Sequence, residues 1–200
     1  MALLEARGIS FSYGKGEPVL SGVDFAVASG ERVALSAPSG RGKSTLCQVL
    51  AGYLEPSAGE VLVDGAPPVA TLGRPNPVQL IWQHPEQAVD PYLRLGDTLA
   101  EAGDVPEDLM RGLGIQQRWL SRYPHEVSGG ELQRCCVARA LASHPRFVIA
   151  DEMSTMLDAI TQAQIWDFLL GYCEREGSGL VLVTHSEALS RRIATRTFAL

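Results

Sequence analysis

The sequence predicts an α/β fold, with a mainly parallel core sheet flanked by helices on both faces. Three observations point to it. Short apolar runs of strand length recur along the chain at Arg32–Ser36, Val78–Trp82, Arg146–Ala150 and Leu180–Thr184. Stretches with helical spacing separate them. The runs are apolar nearly throughout instead of alternating, as strands buried on both faces are. The 200 residues are 46% hydrophobic and 20% charged, which is globular usage and not that of a disordered chain. A chain of this length buries roughly 70% of its unfolded surface, so a single domain over 1–200 is expected.

The elements follow in order. Leu3–Phe11 alternates loosely and reads as a strand; GKGE turns the chain into Val23–Ala28, and Ser29-Gly30 leads to Arg32–Ser36. A glycine-rich loop precedes a helix over Ser44–Ala51, stopped by Gly52 and Pro56. GEVLVDG at 59–65 is a strand ending in a hairpin Asp-Gly. Prolines 67, 68, 75 and 77 make 66–77 a loop before the strand Val78–Trp82. Residues 84–128, with Pro85, Pro91, Pro106 and Pro124 between helical patterns at Leu95–Ala102 and Glu107–Leu113, read as a small helical insert. A helix over Ser128–Ser143, the strand Arg146–Ala150 and a long helix over Ile160–Glu174 come next. Leu180–Thr184, the short helix Glu187–Ile193 and the start of a last strand at Thr195–Leu200 complete the pattern.

Other classes are excluded on arithmetic. No apolar run approaches the roughly 18–20 residues of a membrane span. The N-terminus has no basic region followed by a long apolar one, so no secretory signal is expected. Cys47, Cys135, Cys136 and Cys173 lack a C-x-x-C spacing and fall in helical stretches, so packed, reduced thiols are expected. A net charge of −6 argues against broad binding to nucleic acid. These readings describe a cytoplasmic protein.

Two motifs carry chemistry. APSGRGKST at 37–45 follows a strand and opens a helix, the setting of the phosphate loop G-x-x-x-x-G-K-[ST]. Ser39, Gly40, Arg41 and Gly42 would turn backbone N–H groups onto phosphate oxygens, Lys43 would add a point charge, and Ser44 and Thr45 would offer hydroxyls, Ser44 to Mg²⁺. Ala37 stands where the pattern has its first glycine; it fits only if its φ is negative. FVIADE at 147–152 delivers two acids to the end of an apolar strand. Asp151 would hold Mg²⁺ and Glu152 would polarise an attacking water. Alone, two acids after a strand describe a solvated strand end; the upstream GKST makes a phosphoryl-transfer site the better reading.

SGGELQR at 128–134 brings in a family. Ser128, Gly129, Gly130 and Glu131 open a helix with hydroxyl and N–H donors facing outward. The sequence resembles the signature of ATP-binding cassette (ABC) ATPases, and residues 3–200 can be laid onto that phosphate-loop NTPase fold. The resemblance implies an N-terminal antiparallel β-subdomain and a small helical subdomain near 84–128. It also implies that the signature meets, in trans, the γ-phosphate of ATP bound to a second ABC ATPase subunit, the same or a different chain. Tyr13 resembles the aromatic that stacks on adenine, Gln83 the glutamine that senses Mg²⁺ and water, His185 the switch histidine. Ser154–Asp158 resembles the loop crossing the dimer interface, with Asp158 matching and Met153 replacing the usual proline. His84, His125 and His144 have no such match and read as surface or structural.

RYPHEVSGGELQR and WQHPEQAVDP are similar to the dipeptide, oligopeptide and nickel importer ATPases, although Trp82, His84 and Asp90 depart from that pattern. The branch implies an ATPase subunit, peripheral on the inner face of the cell membrane. Its partners would be transmembrane permeases and, indirectly, an extracytoplasmic solute-binding protein. The competing readings are a catalytically silent partner in a heterodimer, for which Ala37 and Met153 leave room, and an ABC ATPase without a transporter.

Overall fold

In a computed structural model, described for residues 1–14, 16–68 and 75–200, two sheets carry the fold. Strands β1 (Leu3–Phe11), β2 (Leu20–Ala28) and β4 (Ala58–Val63) form an antiparallel sheet in the order β2-β1-β4. Strands β3 (Arg32–Ser36), β5 (Val78–Ile81), β6 (Phe147–Asp151), β7 (Gly179–Val183) and β8 (Arg196–Ala199) form a parallel sheet in the order β5-β6-β7-β3-β8. The helices are α1 (Lys43–Leu50), α2 (Leu95–Ala100), α3 (Glu107–Gly112), α4 (Gly129–Ala142), α5 (Ala159–Glu176) and α6 (Glu187–Ile193).

The parallel sheet is covered on both faces, as its apolar runs require. Every residue of β6 and β7 is buried. Successive side chains of a strand point to opposite faces. Phe147 and Ile149 accordingly join one core with α1 and the antiparallel sheet, through Leu4, Ile9, Leu46 and Leu50. Val148 and Ala150 join the other, with Leu132, Val137 and Leu141 of α4 and Ile165 and Leu169 of α5. The segment read as a helical insert packs on that second core through Leu95, Leu99, Leu109, Leu113 and Trp119.

Several boundaries differ from the sequence reading, each for a local reason. β2 begins at Leu20, three residues early, because the register with β1 shifts between Ile9↔Val23 and Phe11↔Leu20. Gly22, at φ 61°, sits in that shift, and such a bulge breaks the period-two alternation of a strand. α2 stops at Ala100, short of Ala102, and the turn that follows places Gly103 at φ 88°. α5 runs two residues further, to Glu176, until Gly177 at φ 69° caps it. The four cysteines are buried and free, as expected of packed thiols. Of the loop expected over 66–77, residues 69–74 lie outside the described residues, as does Lys15 of the GKGE turn. Among the described residues no helix is long and apolar enough to cross a membrane.

Candidate active site

Three adjacent strands, β6, β7 and β3, end side by side, and the chemistry-bearing residues leave their carboxyl ends. This is the edge at which parallel sheets bind ligands. The loop after β3 turns through Gly40 at φ 76° and Gly42 at φ 89°. Glycine at 42 is required twice over: a Cβ there would lie 2.8 Å from Leu20 Cδ2 and 3.1 Å from the Val19 carbonyl oxygen. Among the described residues, the non-glycine positions of positive φ are Asp64, His144 and Glu152, so the methyl of Ala37 carries no backbone strain.

The start of α1 is left open. α4, α5 and α6 each have a side-chain cap, from Ser128, Asp158 and Ser186. α1, α2 and α3 have none; α2 and α3 carry acids in the first turn (Asp97; Glu107 and Asp108), whereas α1 carries none. Its first N–H groups therefore keep their donors, and the positive end of the helix keeps its field, for a ligand. Lys43 is buried to 8% exposure, and its ammonium donates to the carbonyls of Ala37 (2.8 Å) and Pro38 (3.2 Å). The cation is thus held at the mouth of its own loop.

A cleft of about 290 Å³ joins these parts, lined by Tyr13, Val19, Ser39, Gly40, Gly42, Lys43, Ser44, Thr45, Glu152 and His185. Tyr13 is 56% exposed at its edge; its ring packs edge-on against Phe11, and its hydroxyl lies 3.3 Å from Thr45 Oγ1. That leaves a broad aromatic surface against the cleft. Nothing in EPVL marks Val19 in the sequence; it enters because, just before β2, it lies against Gly42 of the phosphate loop.

Asp151 ends β6 beneath the cleft. It is 6% exposed, and its Oδ1 is buried with no hydrogen-bond partner. Burial raises its pKa above the aspartate value, and the nearby charge of Glu152 adds to that; a hydrogen bond from Ser44 and the charge of Lys43 oppose both. An orphaned carboxylate oxygen next to an exposed serine hydroxyl is the donor set a hard divalent cation takes, so the residues fit Mg²⁺.

Glu152 takes φ 48°, a left-handed conformation that is uncommon for a non-glycine residue. Its N–H donates to the Val183 carbonyl (3.0 Å), which anchors the turn to β7. The result aims the side chain across to His185, with Oε1 2.8 Å from Nε2. Glutamate and histidine therefore reach the cleft as a pair, from neighbouring strands. Backbone held in a sparsely populated region at such a point is the pattern of a functional constraint.

Some expected residues stand elsewhere. Gln83 follows β5 at the sheet edge and does not line the cleft, and Arg41 is exposed outside it. Ser128, Gly129, Gly130 and Glu131 line a separate cavity of about 560 Å³ with Met156, Leu157, Asp158 and Thr161. There Ser128 and Glu131 form a reciprocal cap: Glu131 N–H donates to Ser128 Oγ (3.3 Å), and Ser128 N–H to Glu131 Oε2 (2.8 Å). Asp158 caps α5 by accepting from the N–H groups of Ile160 and Thr161, both at 3.0 Å; these bonds hold its carboxyl below the usual aspartate range.

The family model for ABC transporters matches residues 20–155. The chain is 36% identical over 210 aligned positions to the lipoprotein-releasing system ATP-binding protein LolD of Xanthomonas oryzae pv. oryzae, covering 96% of this chain and 86% of that one. It is 34% identical to the methionine import ATP-binding protein MetN of Caulobacter vibrioides, covering 99% of this chain and 64% of that one. A solved structure described as the ATP binding subunit of an ABC transporter superposes with a TM-score of 0.85 at 26% identity, over 99% of this chain and 85% of that chain.

Proposed function

Because the chain belongs to the ABC transporter family and is an ATPase subunit of it, we propose that its cleft binds Mg-ATP and hydrolyses it at a dimer interface to drive solute movement through permease subunits. One observation carries the reading: the uncapped start of α1 and the Glu152–His185 pair line a single cleft, and the buried Asp151, with one oxygen unpartnered, sits behind its Ser44. The α1 N–H groups and Lys43 bind the β- and γ-phosphates, and Tyr13 stacks on the base. Ser44, Asp151 and, after movement of its loop, Gln83 hold Mg²⁺, which when bound neutralises charge on the phosphate oxygens. Glu152 accepts the proton of the attacking water, and His185 orients Glu152 and contacts the γ-phosphate. Little covalent chemistry is asked of the protein; positioning and electrostatics supply the rate.

The signature cavity and the ATP cleft share no lining residue, which supports a second subunit bringing Ser128–Gly130 to the ATP. The chain then lies on the inner membrane face, held by its permeases. The cargo reading of peptides, nickel or a metal chelate rests on the RYPHEVSGGELQR and WQHPEQ resemblance alone. The relatives named above move lipoproteins and methionine, so cargo follows the permease and not this fold. The test is titration calorimetry with Mg-ATP: the wild-type chain binds, and Lys43→Ala binds at least about 10-fold more weakly, as loss of a charge-assisted contact implies. Equal affinity in the two would overturn the assignment of the cleft. Co-purification with permeases, then a solute screen on their binding protein, tests the cargo.

A further inference from the structure

Glu152 stands at φ 48°, and a conformation so sparsely populated persists only where its surroundings over-determine it. A proline ring would stiffen the turn that follows, but residue 153 is methionine. Hydrogen bonds hold the turn instead. On one side, the Glu152 N–H donates to the Val183 carbonyl of β7 at 3.0 Å. The Glu152 carbonyl accepts twice from Thr155, from its N–H at 3.1 Å and its hydroxyl at 2.9 Å. On the other side, the turn is tied to α5. Ser154 is 5% exposed, and its hydroxyl oxygen accepts from the Trp166 indole N–H at 3.0 Å and from the Gln162 amide at 2.8 Å.

Gln162 and Trp166 are four residues apart on α5, so they share one face of it. Both acceptor positions of the Ser154 hydroxyl are thereby used. Trp166 is 3% exposed and Met153 is buried, both in the core that α4 and α5 close over the sheet. Packing alone would ask only for an apolar ring at 166. The indole nitrogen adds a polar atom that is costly to bury without a partner. The Trp119 indole, buried to a similar degree, has none. A buried tryptophan in this fold therefore does not find an acceptor merely by being buried. Trp166 finds one two residues from Glu152.

We propose that Trp166 is a positioning residue for Glu152: its indole N–H, with the Gln162 amide, pins Ser154 to α5 and so holds the turn that aims the Glu152 carboxylate into the cleft. The inference rests on the ATPase reading above and deepens it. The aim has one direction, toward His185 Nε2 at 2.8 Å. Without the tie to α5, the turn keeps its hydrogen bond to β7 and those within residues 152–157, and nothing else of that kind fixes its far side.

Side-chain NMR of the full chain with labelled histidine tests this. The chain has four histidines, and His185→Gln assigns the signal of His185. In Glu152→Gln that signal shifts, because its partner changes. In Trp166→Phe, which keeps a ring and removes the donor, it shifts the same way by at least a third as much, while the signals of His84, His125 and His144 stay in place. A general loosening of the fold would move all four. Ser154→Ala, which removes the shared acceptor, gives the same result and stands in if Trp166→Phe fails to fold. In the complex with permeases, Trp166→Phe lowers kcat for ATP about 10-fold with KM unchanged, as a small misplacement of a reacting group does. The double variant loses no more than either single one. An unmoved His185 signal in folded Trp166→Phe, equal movement of all four signals, or additive losses in the double variant would overturn the proposal. A wild type that fails to bind Mg-ATP in calorimetry while the His185 shifts are seen would instead sink the ATPase reading.

Discussion

Asp151→Asn should make the nucleotide-free chain more stable while impairing its use of Mg²⁺. The aspartate is 6% exposed, one of its oxygens has no partner, and the charge of Glu152 lies nearby. A buried group left unsatisfied costs about 1–3 kcal/mol. Ser44 and Lys43 offset part of that here, which leaves a gain on the order of 1 kcal/mol for the uncharged isostere. For a chain of this size that gain corresponds to roughly 2–4 °C in Tm. The pH dependence has a definite sign. Burial raises the folded pKa, so between the ordinary aspartate value and the raised one the folded state holds a proton the unfolded state has released. Stability at this group therefore falls as pH rises through that window, and is full below it. The variant should lose this slope, converge with wild type at the acid end and exceed it at neutral pH. Thermal unfolding from pH 4 to 8 measures this. In saturating Mg-ATP the order should invert, since only the wild type gains the metal-linked stabilisation, about 2.7 kcal/mol at a ligand concentration 100 times Kd. An Asn variant with unchanged or lower Tm at neutral pH and the full Mg-ATP shift would refute the assignment of the buried Asp151 carboxylate as a metal ligand.

Glu152→Gln should cut hydrolysis by about 10²–10⁴-fold, as loss of a general base does, while ATP still binds; gel filtration with ATP should then show a trapped dimer, and a variant that remains monomeric contradicts assembly around ATP. Tyr13→Ala should weaken ATP by the roughly 1–3 kcal/mol that base–aromatic stacking provides, with inorganic triphosphate affinity unchanged; equal losses for both ligands would move Tyr13 from base to phosphate. Ser128→Ala removes half of the Ser128–Glu131 cap and should cost about 1 kcal/mol of stability in urea denaturation, yet leave ATP affinity of the isolated chain untouched. Weakened binding there would place the signature in the chain's own cleft.

Much of this was legible in the sequence, for definable reasons. The β6 strand, the phosphate loop and the paired acids follow from local pattern: the apolar run Phe147–Ala150, the GRGKST spacing between a strand and a helix, and charge at a strand end. The pairing of Glu152 with His185 was not legible. It depends on β6 and β7 being neighbours and on Glu152 adopting φ 48°, neither of which a one-dimensional pattern encodes. The Ser128–Glu131 cap has an S-x-x-E spacing, so its geometry was visible as a helix start.

Reciprocal capping bears on how the two half-sites divide their work. At α1 the first-turn donors have no side-chain cap, and the Lys43 ammonium beside them is tied to carbonyls of the same loop. At α4 the first-turn donors are partly satisfied by Ser128 and Glu131. Bringing a phosphate to α1 satisfies groups that have no alternative partner, so binding there needs no rearrangement of side-chain caps. Bringing one to α4 competes with an existing cap, whose loss costs about 0.5–2 kcal/mol. Affinity for nucleotide should therefore reside in the α1 cleft of one chain, and the α4 cavity should add to it only after the phosphates are already held in place. On the proposed function, that order of events, nucleotide first and signature second, would make closure of two subunits a consequence of binding.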